Sequence, residues 1–352
     1  MKTEHILIIR FSAMGDVAMT VPVVYALAKQ YPHVRITVLS QPFARVFYEQ
    51  LAPNVGFMEA DIKREYHGVK GLNALYRRLV AKNFTAIADF HDVLRSQYLR
   101  TRFNLDRFPV AHINKHRTLK RKLTVPYNKV LRQLPTSFEC YAEVLDKLGY
   151  PVRLEGFTSI YPSGGGNLRL LPESIGEKKG FQQWIGIAPF AAHQQKIYPL
   201  QLLDEVITSI TQRHPSCRIF LFGGGNYEKT QLDNLTERHP QAINASALLG
   251  GLQNELILMS HLDVMISMDS ANMHLASLVN TPVVSVWGAT HPYAGFMGWG
   301  QNPDNAIQIE LNCRPCSIYG NKICMRGDLA CLNQITPSTI ADRVEIVLKN
   351  RS

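Results

Sequence analysis

No stretch of this chain reaches the roughly 18 consecutive apolar residues that a membrane-crossing helix requires. Polar Met1-Lys2-Thr3-Glu4-His5 leads straight into a strand, so no secretory signal is expected and a cytoplasmic location is. Cysteine is scarce: six in 352 residues do not make a disulfide scaffold. Glycine is missing where a dinucleotide-binding turn needs it. Arg10-Phe11-Ser12-Ala13-Met14-Gly15-Asp16 follows the first strand without a glycine triplet, so a nicotinamide or flavin loses its best support and no cofactor is expected. Acids are missing from one region: between Arg100 and Arg132 ten basic residues stand against Asp106 alone, while the rest of the chain is nearly neutral and the total is +10. Residues 112–125 of that region also contain no Phe, Tyr or Trp on which bases could stack, so nucleic acid is not expected as a partner. The local charge points instead to a phosphorylated lipid or an anionic sugar, the plain alternative being a solvated basic loop.

What is present is the composition of an ordinary enzyme, 46% hydrophobic and 19% charged, in a length that suggests about two domains. Strand 5–9, the turn with Asp16, a helix from Val17 to Gln30 and strand 34–39 form a βαβ unit. Asp16 is a helix-capping residue on the plain reading, yet it lies at the carboxyl end of the first strand, the functional edge of such sheets. Strand 84–88 leads likewise into Asp89, His91, Asp92 and Arg95, and an amphipathic helix follows over 138–148. The glycine- and proline-rich stretch 161–180 reads as a domain boundary. It divides residues 1–170 from 181–335, with a last helix beyond 336.

The second half repeats the rhythm, with strand 184–189, helix 200–212, strand 218–222 running into Gly223-Gly224-Gly225, and a helix from about Tyr227. The stretch the chain is organised around comes next: strand 264–267, Asp269 and Ser270 as N-cap residues, a helix through His274 to Leu278, Pro282 to stop it, and a second strand. A helix N-terminus, a hydroxyl and a small-residue turn at the edge where parallel strands end is where α/β proteins bind phosphorylated ligands. The expected architecture is α/β, two Rossmann-like domains with parallel sheets and a cleft between them.

These residues resemble a family. Asp269-Ser270-Ala271-Asn272-Met273-His274-Leu275-Ala276 is similar to the Asp-Ser/Thr-Gly-x-x-His-Leu-Ala signature of the lipopolysaccharide heptosyltransferases, glycosyltransferase family 9. Gly288-Ala289-Thr290-His291-Pro292 resembles its Gly-Pro-Thr-Asp-Pro turn, Ser12 to Asp16 with Pro22 its N-terminal segment, Lys196-Ile197-Tyr198-Pro199 its Lys-Arg-Trp-Pro, and Cys313-Arg314-Pro315-Cys316 a Cys-x-Pro-Cys of some members. Ala271 and Asn272 stand where glycine and often proline are usual, and Ala289 and His291 replace proline and aspartate. The resemblance implies a GT-B fold and metal-independent, inverting transfer from a nucleotide-diphospho-sugar, ADP-heptose in characterised members. It maps Asp16 onto the catalytic base.

In the donor site, Lys196, the amides near Ser270 and those around Thr290 would meet the diphosphate charge, with Asp269, Ala271 and His274 beside them. Glu228 would accept from ribose hydroxyls, or simply favour a first helical turn. His91, Arg95, Lys115, Arg117, Lys120, Arg121 and Lys122 would hold an anionic, lipid-linked sugar acceptor, and the same charge would keep the enzyme on the inner face of the plasma membrane. Another nucleotide-sugar transferase, or a sugar-nucleotide epimerase on the same fold, are the alternatives. Cys313, Cys316, Cys324 and Cys331 have half the spacing of a structural zinc site, reduced thiols being the plainer reading. The helix 337–349 is expected to pack back on the N-terminal domain, from the resemblance alone.

Overall fold

The computed structural model describes residues 4–161 and 164–351, so Met1, Lys2 and Thr3, and Pro162-Ser163 of the expected boundary, lie outside the described residues. The chain divides into two compact units, residues 1–116 with 135–160, and 117–134 with 161–352. The break at 160 falls at the edge of the glycine- and proline-rich stretch, but 117–134 lies with the second unit instead of with residues 1–170.

The first stretch of chain runs β1 (His5–Ile9), α1 (Met14–Ala18), α2 (Val21–Gln30), β2 (Arg35–Ser40), α3 (Arg45–Tyr48), β3 (Val55–Glu59), α4 (Gly68–Val80), β4 (Ala86–Asp89), α5 (Leu94–Leu105), β5 (Val110–His112), α6 (Arg117–Thr124) and α7 (Ser137–Lys147). All strand pairs of this sheet are parallel, in the order β3-β2-β1-β4-β5. β1 is buried along its whole length, as an apolar strand covered on both faces must be. The expected single helix over 17–30 is two. Pro22 has no N–H to bond into a preceding turn, so the helix restarts from Thr20, whose hydroxyl donates back to the Val17 carbonyl at 2.8 Å. That break leaves Asp16 in its own one-turn helix, directly after β1.

The second stretch runs β6 (Trp184–Ala188), α8 (Leu200–Arg213), β7 (Arg218–Leu221), α9 (Gly225–Arg238), β8 (Ala242–Asn244), α10 (Ala245–Leu248), α11 (Leu252–Met259), β9 (Val264–Met268), α12 (Ala271–Leu278), β10 (Val283–Val286), β11 (Ala306–Ile307), α13 (Ala330–Asn333) and α14 (Pro337–Lys349). Its sheet is also parallel, ordered β11-β10-β9-β6-β7-β8. In each sheet the strand order reverses beside the first strand of the unit, between β1 and β4 and between β6 and β9. Loops leaving the carboxyl ends of such strand pairs are where ligands bind in open α/β sheets.

The terminal helix α14 is where the sequence puts it, and it lies within the second unit. Ile340, Ala341, Val344, Val347 and Leu348 enter the core under β9 beside Val206 and Ile210 of α8. Each large aliphatic side chain so buried is worth about 1.5–3 kcal/mol. Arg213–Asp342 at 2.7 Å and His214–Glu345 at 2.6 Å flank that contact.

Candidate active site

At the switch point of the first sheet, the loops after β1 and β4 are joined through Arg10 and His91. Arg10 is buried, donates to the Phe90 carbonyl at 2.7 Å and pairs with the Asp16 carboxylate at 2.7 Å. Burial works against its charge, but Tyr141, Asp16 and Asp89 outweigh that and hold the guanidinium above its usual value. Asp16 also accepts from the Ala13 N–H at 3.3 Å, and its backbone carbonyl accepts from the Tyr141 hydroxyl. The carboxylate is therefore fixed in direction by a cation that stays charged.

His91 packs beside this pair, its Nδ1 accepting from the Phe11 N–H and its Nε2 near the Ser12 hydroxyl, both at 3.4 Å. Burial, then the cations Arg10 and Lys115, push it down to about 3, so it is neutral near pH 7. With Nδ1 an acceptor, the ring proton sits on Nε2 and donates to Ser12. Asp89 anchors the β4 loop by accepting from the N–H groups of His91 and Asp92 and pairing with Arg100. Arg95 is exposed on α5.

At the switch point of the second sheet, Lys196, from the loop after β6, pairs with Asp269, which follows β9, at 3.3 Å with both side chains nearly buried. Asp269 is thus an ion-pair partner, not the expected helix cap. Ser270 occupies the N-cap position of α12 without capping it by its side chain, and its hydroxyl lies 3.3 Å from that of Ser267. His274 is buried on the next turn.

The turn after β10 is pressed against the Lys196 loop: Ala289 donates to the Gln195 carbonyl at 3.1 Å, and a methyl at Gly288 would meet that carbonyl at 2.6 Å. Gly320, with φ +78°, lies so close that a Cβ there would sit 2.5 Å from Cγ of Lys196. Both glycines are required by close approach. The Thr290 hydroxyl is fully buried and has no hydrogen-bond partner among the described residues. Glu228 accepts from the Gly224 N–H at 2.6 Å, so one carboxylate oxygen closes the loop after β7.

The sequence did not single out Arg314, the residue between two cysteines. It is 4% exposed and donates to the carbonyls of Gly288 (2.6 Å), Trp287 (3.1 Å), Thr290 (2.9 Å) and Ile309, and to Oε1 of Gln308 (3.1 Å). Two of its thiol neighbours carry no balancing charge: burial pushes Cys331 up to about 11 and raises Cys316. The four cysteines are free thiols, and among the described residues no group of three or more His, Cys, Asp or Glu is placed to hold a metal ion.

The expected acceptor residues are not brought together in one unit. His91, Arg95 and Lys115 belong to the first, where Lys115 donates to the Asp92 carbonyl at 2.9 Å. Arg117, Lys120, Arg121 and Lys122 lie on α6 in the second. Leu123 of α6 is buried against Leu134 and Ala294, and the Lys120 ammonium stands 4.5 Å from the centre of the Phe296 ring. Within the basic segment, residues 117–124 form a docked helix and not a solvated loop.

With this geometry in hand, the comparisons are specific. The family described as glycosyltransferase family 9 (heptosyltransferase) matches residues 167–324, the span that holds the Lys196, Asp269 and Arg314 groups. Lipopolysaccharide heptosyltransferase 3 of Escherichia coli is 25% identical over 311 residues, covering 84% of this chain and 85% of that protein. A family 9 glycosyltransferase from Veillonella parvula shares the fold with a TM-score of 0.75 at 21% identity, covering 99% of each chain. The E. coli heptosyltransferase WaaC with ADP-2-deoxy-2-fluoro heptose does so with a TM-score of 0.66 at 18% identity, over 99% of this chain and 100% of that one. The resemblance read from the motifs and the GT-B fold class therefore hold.

Proposed function

We propose that this chain, a glycosyltransferase of the heptosyltransferase type, moves a heptosyl group from ADP-heptose onto an anionic lipopolysaccharide-core acceptor, with inversion and without a metal ion. The observation that carries the donor half is the Lys196–Asp269 pair beside the N-terminus of α12 at the switch point of the second sheet. A lysine cation, together with the N–H dipoles of a helix N-terminus and a tight turn, is of the kind that stabilises a departing diphosphate. The relatives include a lipopolysaccharide heptosyltransferase, and a heptosyltransferase of the same fold is seen with ADP-2-deoxy-2-fluoro heptose.

Asp16 is the proposed base. As the acceptor oxygen attacks the anomeric carbon from the face opposite the diphosphate, its proton passes to the Asp16 carboxylate. The carbon–oxygen bond to the diphosphate breaks and its electron pair leaves with ADP. A single displacement of this kind inverts the configuration. Neutral His91 and charged Arg10 hold the loop that carries the base. Basic α6 would hold the acceptor's acidic groups and the anionic membrane face, at about 1 kcal/mol per residue near the surface.

The test is a panel of nucleotide-sugars, each incubated with the enzyme and a lipopolysaccharide-core acceptor, with the anomeric configuration of the product read by NMR. Transfer from ADP-heptose with inversion supports the reading. Preference for another nucleotide-sugar, retention, or turnover without any acceptor would overturn it.

A further inference from the structure

The donor site has two cations, Lys196 largely buried and Arg314 buried, and only one is balanced. Lys196 has the Asp269 carboxylate. Arg314 has five oxygens, all of them neutral carbonyl or amide groups, and among the described residues no carboxylate within ion-pairing distance. Breaking with that pattern needs a reason, because a buried charge without a counter-ion is unfavourable unless something compensates it. Carbonyl dipoles solvate the guanidinium but leave its net charge in place.

The same contacts order the turn after β10. Arg314 takes the carbonyls of Trp287, Gly288 and Thr290, and the N–H groups of Cys316 and Ser317 take that of Ala289. Four successive carbonyls are drawn toward residues 314–317. Because the C=O and N–H of one planar peptide point opposite ways, the amides of the same peptides are turned to the other side, where that of Ala289 meets the Lys196 loop. With the Ala289 N–H already taken by the Gln195 carbonyl, those of Gly288, Thr290 and His291 remain, and amides presented together are an anion-binding arrangement. The unpartnered, fully buried hydroxyl of Thr290 lies in this turn. The cation's reach is visible at His291, which burial, then Arg314 and Lys129, push down to about 4.

We infer that Arg314 is a positioning residue of the donor site: it draws the carbonyls of residues 287–290 to itself so that the turn offers its amides to the diphosphate of a nucleotide-sugar, and it supplies the net positive charge that the Lys196–Asp269 pair does not. This rests on the second unit being a nucleotide-sugar site. Arg314 itself, being buried, acts through the turn and not by touching the ligand.

Calorimetry on the full chain with ADP and with adenosine tests it. Arg314→Gln, which keeps hydrogen bonds but removes the charge, should lose about tenfold or more in ADP affinity while adenosine binding barely moves. Arg314→Lys should recover part of that loss. Equal losses for ADP and adenosine, or an unchanged ADP affinity, would show Arg314 to be only a structural brace. Should both variants unfold, the unmodified protein still decides: ADP should slow hydrogen exchange of the Gly288, Thr290 and His291 amides well beyond adenosine, and equal protection by the two overturns the inference. Unmodified protein that binds no ADP would sink the nucleotide-sugar reading itself, whereas tight ADP binding that ignores Arg314 sinks only this step.

Discussion

The two switch points are built alike and charged oppositely in their purpose. In the first unit a buried arginine is spent on one carboxylate, Asp16, which is held in place beside a neutral histidine. In the second, a lysine–aspartate pair cancels itself and a buried arginine is left with carbonyls alone. The first arrangement suits a group that accepts a proton; the second suits a ligand that brings negative charge. Two copies of one sheet topology thus differ by where an anion has been put beside a guanidinium.

The sharpest way to break this contrast is to remove the first unit's carboxylate. Asp16→Ala is expected to lower transfer by about 10²–10⁴-fold with ADP affinity unchanged, in steady-state kinetics and calorimetry run together. A variant that keeps more than half of the turnover rejects Asp16 as base. On the other side, Lys196→Ala should weaken ADP by about 10–100-fold, the range for a charged hydrogen bond, and adenosine far less. Equal losses would make Lys196 a brace for Asp269.

The neutral histidine gives a pH test. The folded value of His91, about 3, lies below its ordinary 6.5. The unfolded chain therefore binds the extra proton as pH falls through 6.5, and the stability that neutral His91 contributes is present above that pH and lost toward 3. The slope is about 1.4 kcal/mol per pH unit for one such group. Urea unfolding at pH 5 and 7 should show a shallower dependence in His91→Asn than in the unmodified protein; identical slopes would mean that His91 charges freely in the fold.

The smallest effect is expected at α6. Neutralising Lys120, Arg121 and Lys122 to Gln should raise the acceptor KM several-fold, each exposed charge being worth about 0.2–1 kcal/mol, and added salt should mimic it. Because α6 lies in the same unit as Lys196, Asp269 and Arg314, donor KM must be measured alongside. A rise in donor KM alone would move the helix from acceptor to donor.

Much of the framework was legible. β1, β6, β9 and β10 are apolar runs buried end to end, and such runs read as parallel strands whatever surrounds them. Asp16 was legible as an acid in the loop after the first strand, and Lys196 through the resemblance of its Lys-Ile-Tyr-Pro segment. The two arginines were not. Arg10 looks like the residue that ends a strand, and its burial is decided by Phe90 and Tyr141, far along the chain. Arg314 was overshadowed by Cys313 and Cys316, though a lone arginine before proline in an otherwise uncharged stretch was a signal. Helix α6 escaped because Leu119 and Leu123 are too few to set a period, and its docking depends on Leu134 and Ala294.

The passage of residues 117–134 through the second unit has a consequence for taking the protein apart. The chain crosses from one unit to the other at 116, at 134 and again at 160. A gene cut at 160 therefore does not yield two modules. The downstream fragment would lack the helix that covers Ala294, and the upstream one would carry Leu123 and Leu134 with nothing to bury them. A cut at that point would separate Lys196, Asp269 and Arg314 from the basic helix that belongs to the same unit, so the two pieces cannot be exchanged independently.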